Sequence, residues 1–456
     1  MRKMIIKLSS NKKLAGNTII YTVSSLINKI IPFVLLTIIT RYLTTEEYGI
    51  ASMIAVSCQV IAPFIMMGVS AAFIRKFIEE GEEDNRIYLF NGILVMTVLS
   101  VFVSVLLILF HSSLEKLTAI PNEFITSVIT ISISNVFYDT GLAVIEAKEK
   151  PKEYLFLQVG FSLLNAVLSI WLVVWLHLGL RGYVISLSVV GVLKLIISIW
   201  SMIKEIGIII SIQKKYIRDI VLSFGIPMIP TQLKGTVLTY SDRLFITNMV
   251  ALSATGVYSV GSQFAQPIEV LCQSFNLAFV PWLYKKLNTG DNETKKKIVK
   301  LTYLYDLAFL FGSIVWALIA RFMLQFWVGE DFAEGGLYIM LLSIGFAFHA
   351  MQMMVVNYIY YVKKVNLYSF VTMIILSLNL LLDYVFINKN GTIGAAQATM
   401  VVNILSFVFT WGLAAYVYKM PWFSFLSRKK DTVRKSEENE NALLDRNQSK
   451  TTEEEL

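Results

Sequence analysis

The chain has 456 residues, 56% hydrophobic and 16% charged, with a mean hydropathy of +0.64 and a formal net charge of +8. A soluble chain carries about a quarter charged residues, so the composition excludes a water-soluble globular protein and describes a polytopic membrane protein. The positive charge does not point to nucleic acid, because most charges sit in short segments between apolar runs, as membrane topology requires.

The basic N-terminus, MRKMIIKLSSNKKLAGN, leads into an apolar run too long for a signal-peptide core and without a cleavage site, so the run is expected to be a first transmembrane helix. Runs near 20 residues, the length that spans a bilayer core, number twelve. In the first half they are Asn17 to Ile39, Tyr48 to Phe73, Tyr88 to Phe110, Phe124 to Ala147, Tyr154 to Leu176 and Gly182 to Ile203. In the second they are Asp219 to Tyr240, Ala254 to Val280, Ile298 to Ala320, Gly335 to Val362, Leu367 to Ile387 and Ile393 to Val417. Of the 40 Lys and Arg residues, 31 fall in the termini and alternate connections and 6 in the opposite set. The positive-inside bias therefore places both termini in the cytoplasm.

Two sets of six helices starting on the same side predict a parallel repeat, related by an axis along the membrane normal. The expected fold is an all-α integral membrane protein with 12 transmembrane helices in two six-helix lobes around a central cleft, residues 1–210 and 211–427. A charged, disordered cytoplasmic tail is expected over 428–456, where apolar residues are almost absent. The first helix carries Lys29 and Pro32 and ends at Arg41 before LTTEEYGIAS; the seventh carries Pro230 and Lys234 and ends at Arg243 before LSATGVYSVG. Cys58 and Cys272, near Pro63 and Pro267, fall on the second helix of each half. Both cysteines lie within apolar runs and read as small buried residues, not as a disulfide framework.

Three lysines lie at membrane depth. Lys29 is 12 residues into its run, roughly 18 Å at ~1.5 Å per residue and hence near the middle of a ~30 Å core. Lys194 lies similarly deep, and Lys234 shares its helix with Pro227 and Pro230, each of which removes a backbone donor. A buried lysine is costly unless it pairs with an acid, snorkels to the interface or faces a polar cavity. Lysines on matched helices of the two halves favour a shared anion site. Asp242 and Arg243, with Arg41, are expected at the outer mouth of that cleft, where an arginine either anchors the interface or meets phosphate.

Acids at depth are Asp139, Glu269 and Asp306, with Asp383 nearer the outer face. Each is either a lysine or helix-end partner or a coupling group for H+ or Na+. His111, His177 and His349 are scattered and offer no metal spacing. The chain lacks a G-x-x-x-x-G-K-[ST] phosphate loop, H-E-x-x-H and G-x-S-x-G, and calls for no catalytic residue, metal or resident cofactor. Trp171, Trp175, Trp327 and Trp422 read as interfacial belts.

The segments Asn17-Thr-Ile-Ile-Tyr21, Lys29-Ile-Ile-Pro32, Arg41-Tyr-Leu-Thr-Thr-Glu-Glu-Tyr-Gly49, Ser241-Asp-Arg-Leu-Phe-Ile246 and Thr255-Gly-Val-Tyr-Ser-Val260 resemble the polysaccharide transporter family. This family comprises the repeat-unit flippases of O-antigen and capsule synthesis, within the multidrug/oligosaccharidyl-lipid/polysaccharide exporter superfamily. The resemblance covers the whole transmembrane region. It implies two lobes around a cationic cleft, a first and seventh helix that bend, and no enzymatic activity. The implied substrate is an undecaprenyl-pyrophosphate-linked glycan moved from the inner to the outer leaflet of the bacterial cytoplasmic membrane by alternating access.

Lys29, Lys194, Lys234, Arg41 and Arg243, with Asp242, are the substrate-binding candidates on that reading. Asp139, Glu269 and Asp306 are the ion-coupling candidates. Implied partners are the lipid-linked oligosaccharide and membrane lipids, together with a polysaccharide polymerase and other assembly proteins. Fourteen-helix relatives that flip peptidoglycan precursors carry two further helices that this chain lacks. The rival readings are a cation-coupled multidrug exporter, which calls for an acidic, aromatic pocket, and a membrane glycan polymerase, which calls for Arg and acids clustered on a large outer loop.

Overall fold

The computed structural model describes residues 2–79, 82–288 and 291–423; the tail expected over 428–456 lies outside them. Regular structure among the described residues is wholly helical. The first half comprises α1 (Arg2–Ile39), α2 (Thr45–Met66), α3 (Val69–Glu79), α4 (Glu82–Leu109), short α5 (His111–Thr118), α6 (Ile125–Ala147), α7 (Pro151–Ile170) and α8 (Gly179–Ile206). A five-residue helix, α9 (Lys214–Arg218), leads through a π-helical stretch, Asp219–Gly225, into α10 (Ile226–Met249). Then come α11 (Leu252–Ala265), α12 (Pro267–Leu287), α13 (Asn292–Trp327), α14 (Gly336–Tyr361), α15 (Val365–Asn390) and α16 (Thr392–Val417).

Among the described residues, 10 helices are long and apolar enough to cross a membrane. The two expected spans outside that set are the seventh and the eighth, and each has a physical reason. The seventh, α10, carries Gln232, Lys234, Ser241, Asp242 and Arg243 in one helix. It starts at Ile226 and runs to Met249, later at both ends than the apolar run suggests. Its prolines do not interrupt it: Pro227 sits in the first turn, where a missing N–H is harmless. The eighth divides at Gln266 into α11 of 14 residues and α12 of 21, with Pro267 opening the second piece. The second span of the first half divides likewise, at Met67 and Gly68, which both take the left-handed conformation (φ 45° and 65°).

Helices of each half pack among themselves, α6 on α8 and α1 on α7 in the first, α14 on α13 and α16 in the second. The halves meet chiefly through α2 against α11 and α10. Thr44 begins α2 with a capping box: its hydroxyl accepts from Glu47 N at 3.2 Å and Glu47 Oε2 accepts from Thr44 N at 2.9 Å. At the first turns of α2 and α11 the backbones come together. A Cβ on Gly49 would strike the Leu252 carbonyl, and one on Gly256 would strike the Thr45 carbonyl. Ser52 and Ser259, 207 positions apart, share a hydrogen bond of 2.7 Å. The same separation relates Gly49 to Gly256 and Thr45 to Leu252, so the contact is reciprocal, as an internal two-fold demands. In this register Cys58 and Cys272 are not counterparts.

At the lysine-rich end, called the basic end below, Lys150 donates to Glu205 Oε1 at 2.7 Å and ties the start of α7 to the end of α8. That bond raises the lysine's pKa above its ordinary value. Asp291 caps α13 through the Glu293 and Thr294 amides, which lower its pKa.

The glycine contact makes a test. Gly256→Ala should destabilise the purified protein by ~1–3 kcal/mol through overpacking. Gly412→Ala, with nothing within 4 Å of the added carbon, should be neutral or gain up to ~1 kcal/mol. Thermal unfolding in detergent compares the two, and equal melting temperatures would contradict the close approach.

Candidate functional site

A cavity of about 1080 Å³ opens between α1, α2, α10, α11, α12 and α13. Its lining is of two kinds. The polar side chains are Asn28, Lys29, Gln59, Tyr240, Gln263 and Gln266. The apolar ones include Ile30 and Phe33 of α1, Leu271 of α12, and Phe309, Val315 and Ile319 of α13. The Lys29 ammonium donates to Gln273 Oε1 at 3.2 Å, and Gln273 Nε2 donates to Glu269 Oε1 at 3.1 Å. A lysine of the first half is thereby linked to a carboxylate of the second through one amide.

Lys234 does not share that cavity. It lines a smaller one of about 260 Å³ within the second half, with Glu269, His349, Gln352 and Tyr368. Its ammonium lies 5.7 Å from the Tyr368 ring centre, a cation–π contact. A third cavity, about 190 Å³, lies between Tyr48, Tyr183, Ser259 and Arg243. Gln266, at the break between α11 and α12, borders all three.

Asp242 and Arg243 sit inside α10 and are 7% and 5% exposed, not at an open mouth. Arg243 Nη1 donates to Asp242 Oδ1 at 3.2 Å and to the Thr239 carbonyl at 3.1 Å, and Nη2 donates to Ser262 Oγ at 3.3 Å. The Tyr258 hydroxyl donates to the other oxygen of Asp242. Pairing and hydrogen bonding on all sides is what makes two charges tolerable at this depth. Next to them Ser241 Oγ bonds Asp383 Oδ2 at 2.7 Å and Asn379 Oδ1 at 3.0 Å. Asp383 is fully buried, and its Oδ1 has no hydrogen-bond partner.

The other candidates are dispersed. Lys194 of α8 lies 4.9 Å from the Tyr138 ring centre and feels the charge of Asp139 on α6. This group belongs to the first half alone. Arg41 reaches the C-terminus of α13, donating to the Phe326 carbonyl at 2.8 Å and the Trp327 carbonyl at 3.4 Å. A cation there complements the helix dipole. Asp306 lies within α13, and its Oδ1 has no partner.

The structure thus brings Lys29 and Glu269 together through Gln273, and gathers Lys234, Asp242, Arg243 and Glu269 around the smaller cavity of the second half. It keeps Lys194 with Asp139, Arg41 and Asp306 in separate places. Sequence reasoning passed over Gln59, Gln263, Gln266 and Gln273, because neutral amides carry no charge signal. Four glutamines in the second spans of the two halves was the available clue.

The sequence pattern of the family described as polysaccharide biosynthesis protein matches residues 14–286. The chain belongs to the polysaccharide biosynthesis protein family. Among curated relatives, the Haemophilus influenzae protein named "Lsg locus putative protein 1" is 23% identical over 369 residues, covering 78% of this chain and 87% of the relative. A Shigella flexneri protein named "Putative O-antigen transporter" is 26% identical over 184 residues, 40% of this chain and 43% of that one. The fold matches the lipid II flippase MurJ with a TM-score of 0.69 over 87% of each chain, at 14% identity. It also matches a multidrug MATE transporter of the MOP superfamily with a TM-score of 0.64 over 85% of this chain and 94% of that chain, at 13% identity.

In this member of the polysaccharide biosynthesis family, the matched region contains the amide and charged residues of the large cavity, Asn28 through Gln266, and also Glu269 and Gln273. The α13 wall and Asp383 lie beyond it. The multi-pass membrane exporter fold is therefore shared with flippases and drug transporters alike, and the polar lining must distinguish between them.

Arg243→Ala should cost ~3–5 kcal/mol, because it leaves Asp242 buried without its cation. The double neutral variant Asp242→Asn/Arg243→Gln should lose less than the single one. Melting temperatures of the purified variants decide the order.

Proposed function

We propose that the protein flips undecaprenyl-pyrophosphate-linked oligosaccharide repeat units from the inner to the outer leaflet of the bacterial cytoplasmic membrane. The product would feed surface polysaccharide such as capsule or O-antigen. The observation that carries this reading is the cavity of about 1080 Å³ whose lining combines Lys29 and amides with many apolar side chains. An amphiphile with an anionic head and a polyprenyl tail needs both kinds of surface at once. A diphosphate cannot cross bare hydrocarbon at reasonable cost; the lysine attracts it, and the amides offer hydrogen bonds to sugar hydroxyls. The volume lies at the top of the ~300–1,000 Å³ range of ordinary small-molecule pockets.

The orientation follows from charge. The basic end, with 31 of 40 Lys and Arg residues, faces the cytoplasm, and so do both termini. Alternating access would expose the cavity first there and then on the opposite side. Coupling to H+ or Na+ would fall to carboxylates not already neutralised by a cation. Asp306 and the fully buried Asp383, each with an unpartnered oxygen, suit that role better than Asp139, whose field is opposed by Lys194. A polysaccharide polymerase and other assembly proteins are the partners such a product requires.

The MATE-like fold keeps a cation-coupled drug exporter as the rival reading, favoured by the aromatic side chains Phe33, Phe309 and Trp316 in the cavity. Lys29 argues against it, since a fixed positive charge repels cationic drugs.

A deletion strain should accumulate complete lipid-linked repeat units on the cytoplasmic face of the membrane. Wild type and Lys29→Arg should clear them, and Lys29→Ala should restore less than a tenth of the flux, on the order of 1.4 kcal/mol or more of lost stabilisation. Unchanged glycan export with altered sensitivity to cationic drugs would instead establish the exporter. In the same assay Asp383→Asn should abolish any dependence of flux on the ion gradient while the protein remains folded. Full gradient dependence in that variant would remove Asp383 from the coupling role.

A further inference from the structure

At the basic end α3 meets the connector between the two halves, and the two enclose a separate cavity of about 370 Å³. Its lining holds four cations, Arg75, Lys76, Lys215 and Arg218, and one carboxylate, Asp219. The cations are spread over aromatic faces: Arg75 lies 5.2 Å from the Phe224 ring centre, Lys76 5.1 Å from that of Tyr216 and Lys215 5.7 Å from the same ring. The Asp219 carboxylate is engaged by the Tyr88 hydroxyl at 3.1 Å.

The connector is held in place for this arrangement. Fully buried Asn91 of α4 donates to the Ser211 carbonyl at 2.8 Å and accepts from Gln213 N at 3.0 Å. The loop so fixed turns Ile210 and Ile212 outward, 83% and 67% exposed, immediately before Lys214 and Lys215. Large aliphatic side chains presented beside lysines at the level of a membrane interface belong in acyl chains with the charges among head groups.

We propose that this cavity binds the phosphate head group of an anionic phospholipid in the leaflet at the basic end. Guanidinium groups match phosphate in two-point contact, and basic pockets between spans are suited to lipid head groups. The cavity joins α3 of the first half to the π-helical stretch that leads into α10. A lipid seated there interacts with the arrangement in which these elements lie together and with no other, so it shifts the chain toward that state. The site lies outside the transport cavity and stands whether or not the flippase reading does.

The purified full-length chain in detergent, titrated with phosphatidylglycerol or phosphatidylcholine and followed by native mass spectrometry, tests this. The wild type should hold phosphatidylglycerol in preference to phosphatidylcholine. Lys215→Gln/Arg218→Gln should bind phosphatidylglycerol roughly 30-fold more weakly, whereas Lys285→Gln/Lys363→Gln, equal in charge change but outside the cavity, should match wild type. Undiminished binding by the first variant overturns the proposal. So does an equal loss in the second, which would reduce the effect to general surface charge. Displacement of phosphatidylglycerol by an equal concentration of inorganic pyrophosphate would assign the cavity to soluble phosphates in place of lipid.

Discussion

Thr45 to Ser52, at the start of α2, lies against Leu252 to Ser259, at the start of α11, with glycine on both sides at the closest points. No other residue allows two backbones this near. Inside a membrane the hydrophobic effect gives helices no reason to associate, and close packing of small residues must supply the attraction. The consequence reaches far beyond the contact. Past these pinned starts each second span breaks, at Met67 and Gly68 after α2 and at Gln266 after α11. Ala55 and Gln59 of the one and Gln263 and Gln266 of the other line the large cavity. Arg41 on the α13 carbonyls and the Tyr48 ring edge-on to Phe332, with centres 5.8 Å apart, close the pinned end further.

The polar groups fall into two physical kinds. Some are neutralised where they stand: Arg243 with Asp242, Lys150 with Glu205, Arg41 with a helix terminus. Their chemistry is spent on holding helices together. Others are only lightly engaged, among them Lys29 through a single amide and Asp383 with one free oxygen. In a low-dielectric interior a partly satisfied charge such as that of fully buried Asp383 is costly, whereas Lys29 is exposed. On the proposed reading these lightly engaged charges would be the ones that meet a ligand or ion.

Much of the fold was legible in the sequence because apolar length is a strong signal. The repeat was visible as well, since LTTEEYGIAS and LSATGVYSVG contain the two glycines that make the central contact. Cys58 and Cys272 looked like a second matched pair and are not; residues that merely fill space carry no register. The ends of α10 were misplaced for the opposite reason. Reading apolarity alone stopped the helix at Tyr240, whereas buried Asp242 and Arg243 continue it because Tyr258, Ser262 and Thr239 satisfy them from within the fold. Lys29 was legible as a mid-membrane cation. The glutamines around it were not, because a neutral amide in an apolar run acquires meaning only when folding gathers several around one space.

On the proposed reading, the chain Lys29 to Gln273 to Glu269 would link substrate recognition to the movement that transport requires. It runs from α1 in one half to α12 in the other, just past the break at Gln266. Among the described residues the Lys29 ammonium donates to the Gln273 oxygen, and the Gln273 amide donates in turn to Glu269. On the proposed reading, a diphosphate entering the cavity would offer Lys29 negative charge at close range, far stronger than an amide dipole. The lysine would then turn to the phosphate, and the tie across the halves would be lost. A ligand moves a conformational equilibrium only through interactions that differ between the states, and this tie would be the differing interaction. The segment so released would begin next to Gln266, the helix break that borders the large cavity and the two smaller ones beside it.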